Sequence, residues 1–467
     1  MSIFAGNMAL LKKNYPFLYK TVCAVNFSSA RIEIIDSKTS DKTVRVKIRE
    51  YGHDKQVLLH SSFNPVLEGR KFAEEQMREQ KKVNFLYGFG LGYHVQAMVK
   101  ILAEGNKLVI ADLNLDVFRI ALELRDISDV LDNCQVHLFI SDDLNYMATK
   151  IGGVLDESPD MHIITHVPSL TVVEEKYDEL KYLLQELNLR KSIGREYIDL
   201  LHTNFLRNRQ ILKHNVGEFF GRFKNLPIII VSAGPSLDKN KHLLKGLGNK
   251  ALIICVAHAL KALINIDIKP HFIITIDPEP ITLKQIEGFE HLDIPFILMA
   301  TAWPGNAEIY QGPKLIACQH PDYLNPGEEN FLIKTGGSVS TAALDIAIKM
   351  GGNPIIFIGQ DLAFTANKHH CEDSFHENVS LKPLDTMRRV KGWNNEDVYT
   401  TLGMVSFNRW IRSRVRNEGG TTVINATEGG AYIEGLKHMK LQEVIEQYLH
   451  QNFNVYEKIK QIISELD

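Results

Sequence analysis

With 467 residues, 45% of them hydrophobic and 23% charged, the chain has the apolar content to core about two to three soluble domains. A net charge of -3 supplies no basic field for nucleic acid or an anionic membrane surface, and no run of about 18 apolar residues exists to span a bilayer. Five cysteines, widely spaced and never in a C-x-x-C pair, argue against a disulfide framework or a cysteine-built zinc site. Lys12 and Lys13 follow only a short apolar stretch, which is no secretory signal, so a cytoplasmic protein is expected.

Residues 1–80 mix a helical pattern over Asn7 to Tyr19 with alternating strand-like sequence such as Thr43 to Arg49. A second segment, 81–200, opens on the apolar run Val83 to Tyr87. It continues through Gly88-Phe-Gly90-Leu-Gly92 into a helix, and a following strand, Lys107 to Ala111, ends in Asp112. Glycines after one strand and an acid at the end of the next describe a Rossmann-like first βαβ. So short a motif predicts the topology rather than a bound cofactor. The sequence then turns helical and charged, notably over Glu174 to Lys191 and in the basic run His202 to Lys213, which reads as a connecting segment.

A central α/β segment, 201–385, carries the apolar runs Ile228–Val231, Leu252–Val256, Phe272–Ile276, Phe296–Ala300, Leu315–Ala317 and Ile355–Ile358. Helical sequence between them predicts a mostly parallel sheet with right-handed crossovers. Residues 386–467 read as a mainly helical C-terminal part, within which Arg409, Arg412, Arg414 and Arg416 form either a solvated helix face or a patch for an anion.

In open parallel sheets, ligands bind outside the carboxyl ends of the strands. Polar residues and glycines collect at those ends here: Ser232-Ala-Gly234-Pro235-Ser236, Ala257-His258, Asp277-Pro-Glu279 and Gly359-Gln-Asp361, with Lys334-Thr335-Gly336-Gly337-Ser338 opening the helix before the last strand. Unpaired amides at the turns around 234 and 337 would receive anions. The second turn equally suits an N-cap by Ser338 or Ser340, worth about 1 kcal/mol. Asp277, Glu279 and Asp361 suit ordering of a sugar hydroxyl, general base work or Mg²⁺. No Walker A sequence occurs, and His369-His370-Cys371 with His376 fits no common zinc spacing, so no metal site is expected. His258, His369 or His370 is the candidate general base.

Several of these pieces together resemble the motility accessory factor family of bacterial flagellin glycosyltransferases. The matching stretches are Val231 to Asp238, Ile276 to Glu279, Thr335 to Val339, Gly359 to Ala363, Asn425-Ala-Thr-Glu-Gly-Gly-Ala431 and Asn64 to Gly69. The resemblance implies a central Rossmann-like domain similar to sialyltransferases, beside a second Rossmann-like N-terminal unit. It implies a CMP-activated nonulosonic acid of pseudaminic or legionaminic type as donor, no required cofactor, and Ser or Thr hydroxyls of flagellin as acceptors. By that analogy Gly234, Pro235 and Ser236 line the CMP phosphate or ribose. Thr335, Gly336, Gly337 and Ser338 hold phosphate or sugar carboxylate, and Asp277 and Glu279 approach the donor; the resemblance leaves the general base unassigned, and Asp277, His369 and His370 are the candidates for catalysis. The tyrosine such a likeness leads one to expect near the Gly-x-Asp motif is missing from Leu362-Ala363-Phe364. The core also resembles archaeal 6-hydroxymethyl-7,8-dihydropterin pyrophosphokinase, which would place Mg²⁺ near Asp277, Glu279 and Asp361. A flagellin-binding adaptor without turnover is the third reading.

Overall fold

The computed structural model describes residues 2–24, 31–50, 53–158, 161–174, 177, 195–365, 370–374 and 387–466. The chain divides into two compact units, residues 1–193 and 194–467. The first holds an antiparallel sheet, β1 (Ile32–Asp36), β2 (Lys42–Glu50) and β3 (His53–Leu58), and a parallel one of β4 (Val83–Tyr87), β5 (Lys107–Asp112), β6 (Val136–Ile140) and β7 (His162–Thr165) in the order β6-β5-β4-β7. The expected Rossmann-like topology is present, with four of the five β4 residues fully covered. Residues 1–80 do not form a body of their own. Leu11, Leu18, Val22, Val44 and Val46 share one core with Leu108, Ile110 and Phe118 of the parallel part. The single helix expected over Asn7 to Tyr19 is two, Ile3–Asn14 and Pro16–Ala24, because Pro16 disfavours helical geometry at Tyr15 and itself suits a first helical position.

The second unit is built on nine parallel strands: β8 (His214–Asn215), β9 (Ile228–Val231), β10 (Leu252–Val256), β11 (Phe272–Thr275), β12 (Phe296–Met299), β13 (Lys314–Ala317), β14 (Ile355–Ile358), and, beyond the hairpin β15 (Arg388–Lys391) and β16 (Asp397–Thr400), β17 (Val423–Asn425) and β18 (Lys437–His438). Their order is β18-β17-β14-β9-β10-β11-β12-β13-β8. The chain runs outward from β9 to β13, then returns to lay β14 on the other side of β9. That reversal opens a crevice at the carboxyl ends of β9 and β14. The return helix, Val339–Met350, is covered on almost every side, lying between the sheet and helix Leu402–Arg416.

Residues 386–467 are not a separate domain. β17 pairs with β14, and Leu441, Val444, Val455, Ile459 and Ile462 of the last two helices enter the same core as the sheet. One of those helices covers His271, whose Nδ1 accepts the Ile253 N–H at 2.9 Å and whose ring lies 4.3 Å from that of Tyr456. Burial pushes its imidazole down to about 4. With a folded value below the unfolded one near 6.5, the stability it confers is complete above pH 6.5 and is lost as pH falls toward 4. His271→Gln is expected to remove about 2–3 kcal/mol of the acid-induced loss. Urea melts of both proteins across that range check it, and identical pH profiles would contradict it.

Candidate functional site

At the crevice the two strand ends close on each other. Ser232 N–H donates to the Ile358 carbonyl at 3.0 Å, and Gly234 N–H donates to the Gly359 carbonyl at 2.8 Å. The Asp361 carboxylate, 3% exposed, accepts the Ser236 hydroxyl at 2.6 Å, the Ser236 N–H at 3.3 Å and the Thr365 hydroxyl. Burial raises this carboxyl while those donors pull it back. A third loop, leaving β17, completes the knot: Gln360 N–H donates to Thr427 Oγ1 at 3.1 Å and Ala431 N–H to the Asp361 carbonyl at 2.6 Å. The distinctive stretch Asn425 to Ala431 is thus the clasp around Asp361. The free amides expected at 234–236 are not there, because Gly359 and Asp361 take them, and the helix behind them, Leu237–Asn240, has only four residues. Gly234 serves the close approach of two protein loops, where a Cβ would meet Asp361 and Gly359.

The second turn also satisfies itself. Gly336 and Ser338 N–H groups donate to Thr341 Oγ1 at 3.0 and 3.2 Å, and Gly337 N–H to Thr335 Oγ1 at 3.1 Å. Ser338 caps helix Val339–Met350 in a capping box with Thr341, so the N-cap reading describes the geometry. Gly336 lies under the Trp410 indole, while Gly337, with φ of 92°, is exposed. Buried Asp345 anchors the turn by accepting Lys334 N–H at 2.8 Å and Arg414 Nε–H at 2.7 Å. The arginine cluster is accordingly split: Arg414 is structural and Arg412 pairs with Glu434.

Asp277 and Glu279 leave the end of β11, partly covered and exposed respectively. Across them lies helix Arg195–Ile211, part of the segment expected to be a mere connection. Its Asn204 Nδ2 donates to the carbonyls of Pro278 (2.9 Å) and Thr301 (3.2 Å), and its Asn208 Nδ2 to those of Ala300 (3.0 Å) and Ala302 (2.7 Å). These two asparagines, one helical turn apart, fix the helix to the ends of β11 and β12. They also bring Tyr197 to the acids, where burial and then the charges of Asp277 and Glu279 raise its phenol. Nothing local to Tyr197 signals this; only the Asn204–Asn208 spacing hints that the helix packs. At the end of β10, His258 stacks on His370 with ring centroids 4.5 Å apart, and Cys371 N–H donates to the Ala233 carbonyl at 2.9 Å. His369 and His376 lie outside the described residues.

In the first unit, the glycine turn is closed as well. The N–H groups of Gly88, Phe89, Gly90, Leu91 and Gly92 donate to the Ala111 carbonyl, Asp112 Oδ2 (both Phe89 and Gly90), His60 Nε2 and the Phe89 carbonyl. Burial pushes the Asp112 carboxyl up to about 6. The acid that meets a ribose in dinucleotide-binding folds here fills the place of the phosphate.

Residues 28–164 match the family described as glycosyltransferase Maf N-terminal domain, and residues 203–367 match 6-hydroxymethylpterin diphosphokinase MptE-like. The solved structure of Maf glycosyltransferase from Magnetospirillum magneticum AMB-1 is similar over 99% of this chain and 77% of that one, at 14% identity and a TM-score of 0.54. At that identity the likeness is one of fold. No curated protein matches the chain.

Proposed function

We propose that the chain is a glycosyltransferase of the Maf type, a reading supported by the matches over residues 28–164 and 203–367, and that it transfers a nonulosonic acid of pseudaminic or legionaminic type from a CMP-sugar to Ser or Thr hydroxyls of flagellin in the cytoplasm. The observation that carries the reading is the convergence at one sheet edge. Asp277, Glu279 and Tyr197, the His258–His370 pair and the start of helix Val339–Met350 all belong to elements that end or begin on the carboxyl side of β9 to β14.

Because the amides around 234 and 337 are engaged, the donor's anionic groups are assigned to the half-buried hydroxyls of Thr335 and Ser338 and to the first turn of that helix, whose dipole favours negative charge. Gly234, Pro235, Ser236 and Asp361 form the floor beneath. Asp277 or His370 takes the acceptor proton as the anomeric carbon is attacked from the face opposite CMP, with no metal required. Tyr197, held protonated, supplies the phenol expected beside the leaving phosphate.

Flagellin co-expressed with this protein and the donor pathway is expected to gain nonulosonate mass increments, read by intact-protein mass spectrometry. No added mass with any such donor rejects the reading. Tyr197→Phe is expected to lower kcat about 100-fold with little change in KM, whereas unchanged kcat removes Tyr197 from the chemistry. The match over residues 203–367 favours one second reading, a Mg²⁺-dependent pyrophosphoryl transfer to a hydroxymethylpterin at Asp277 and Glu279. Release of AMP from ATP with Mg²⁺ and the pterin tests it. Flagellin binding without turnover in either assay favours the adaptor.

A further inference from the structure

Three histidines far apart in sequence meet beneath the glycine turn of the first unit. His60 follows β3, His94 lies in the first turn of helix Tyr93–Ile101, and His166 follows β7. They are 3%, 1% and 6% exposed, and each offers a ring nitrogen within 4.8 Å of those of the other two.

The outer nitrogen of each ring faces an acceptor, within hydrogen-bond distance for His94 and His166. His94 Nε2 faces the Gly88 carbonyl at 2.9 Å, His166 Nδ1 faces Ser169 Oγ at 2.8 Å, and His60 Nδ1 faces the Glu68 carboxylate at 3.7 Å. Glu68 is itself fixed by the Ser61 N–H at 2.8 Å. A carbonyl, a hydroxyl and a carboxylate, each orienting one imidazole, form the outer shell that metal-ligating histidines require. On the inner side, His94 Nδ1 is buried with no hydrogen-bond partner, an arrangement that costs stability unless something occupies the lone pair. Burial, followed by the neighbouring rings, drives His94 down to about 3 and His166 well below the ordinary value; His60 is lowered too, by burial foremost.

We propose that His60, His94 and His166 form a binding site for a borderline divalent cation, zinc foremost, with water completing the coordination. Imidazole nitrogen suits zinc and its first-row neighbours, and three such ligands leave one tetrahedral position open. The ion joins the loop after the antiparallel sheet to a helix and a strand end of the parallel one, at the place where a nucleotide-binding unit would hold phosphate. The rings stack, His94 on His166 at 4.2 Å and His60 on His166 at 5.0 Å, so binding requires them to turn until the lone pairs converge at about 2.0–2.1 Å. Gly90 gives the space: a Cβ there would lie 2.6 Å from His60 Nε2 and 3.6 Å from His166 Cε1. The ion takes the place of the Leu91 N–H, which donates to His60 Nε2 at 3.0 Å. This inference is independent of the transfer chemistry assigned to the second unit.

The test uses the full chain, stripped with a chelator and then dialysed against zinc. Elemental analysis is expected to find one zinc per chain, and the zinc-loaded protein is expected to melt at a higher temperature than the stripped one. His94→Gln is expected to weaken zinc binding by at least about 100-fold. Glu68→Gln, at a half-exposed side chain whose loss leaves the core intact, is expected to weaken it about 10- to 100-fold. Cobalt should give the visible absorption of a four-coordinate site in the native chain and lose it in His94→Gln. Zinc held instead by His369 to Cys371 would survive both substitutions. No stoichiometric zinc in the native chain, or unchanged affinity in both variants, overturns the proposal.

Discussion

Gly234→Ala is expected to cost about 3 kcal/mol or more and to abolish transfer with it. A Cβ at this position would lie 2.1 Å from Asp361 Oδ1 and 2.5 Å from the Gly359 carbonyl oxygen. Neither neighbour is the free end of a flexible side chain. One is backbone, and the other is a carboxylate fixed by Ser236 and Thr365. Ordinary overpacking costs about 1–3 kcal/mol when side chains can give way, so a backbone obstruction falls at or above the top of that range. Gly337→Ala is the contrast. Its φ of 92° imposes the left-handed penalty of about 1–2 kcal/mol, but the nearest atom, Phe407 Cε1, lies 3.7 Å from the new Cβ. Urea melts of the two variants should separate clearly, and equal losses would contradict the closed crevice.

Asp361 gives the second large effect, and the chemistry of the replacement decides its size. Asp361→Ala leaves the Ser236 N–H, the Ser236 hydroxyl and the Thr365 hydroxyl without their acceptor in a site 3% exposed, for an expected loss of about 3–5 kcal/mol. Asp361→Asn keeps one oxygen for Ser236 and can be met by rotation of the Thr365 hydroxyl, so about 1 kcal/mol is expected. Transfer by the Asn variant should persist at near-native kcat. Were the carboxylate a Mg²⁺ ligand or a base, Asp361→Asn would instead remain folded and lose activity, and that result would return Asp361 to the chemistry.

Much of the second unit was legible because its strands are buried on both faces. Such strands appear as unbroken β-branched and aromatic runs, and all six apolar runs from Ile228 to Ile358 are strands in parallel register. β17 escaped notice because three residues, Val423 to Asn425, are too few to show a period, and their pairing with β14 makes the C-terminal region part of the sheet. Helix Arg195–Ile211 read as a polar connection because, beside the buried Phe205, its packing side is carried by Asn204 and Asn208, which are buried through hydrogen bonds to strand-end carbonyls. Hydropathy cannot register a face that is buried for that reason.

For the site, residue types and their place at strand ends followed from local pattern alone: glycines where chains turn, acids and histidines at carboxyl termini. What those groups bond to did not. The amide of Gly234 is 125 residues or more from the groups that occupy its surroundings, and Asp112, His60 and His166 reach the glycine turn of the first unit from separate elements. The sequence by itself determined the two parallel α/β units and which edge of the larger sheet carries polar chemistry, because periodicity and turn propensity are local. Only the tertiary structure decided that the glycine turns at 88–92, 234 and 336–337 are filled by the protein's own acceptors, that Tyr197 comes within electrostatic reach of Asp277 and Glu279, and that three distant histidines meet. Hydrogen-bond partners and steric contacts between remote segments exist only once the chain has folded.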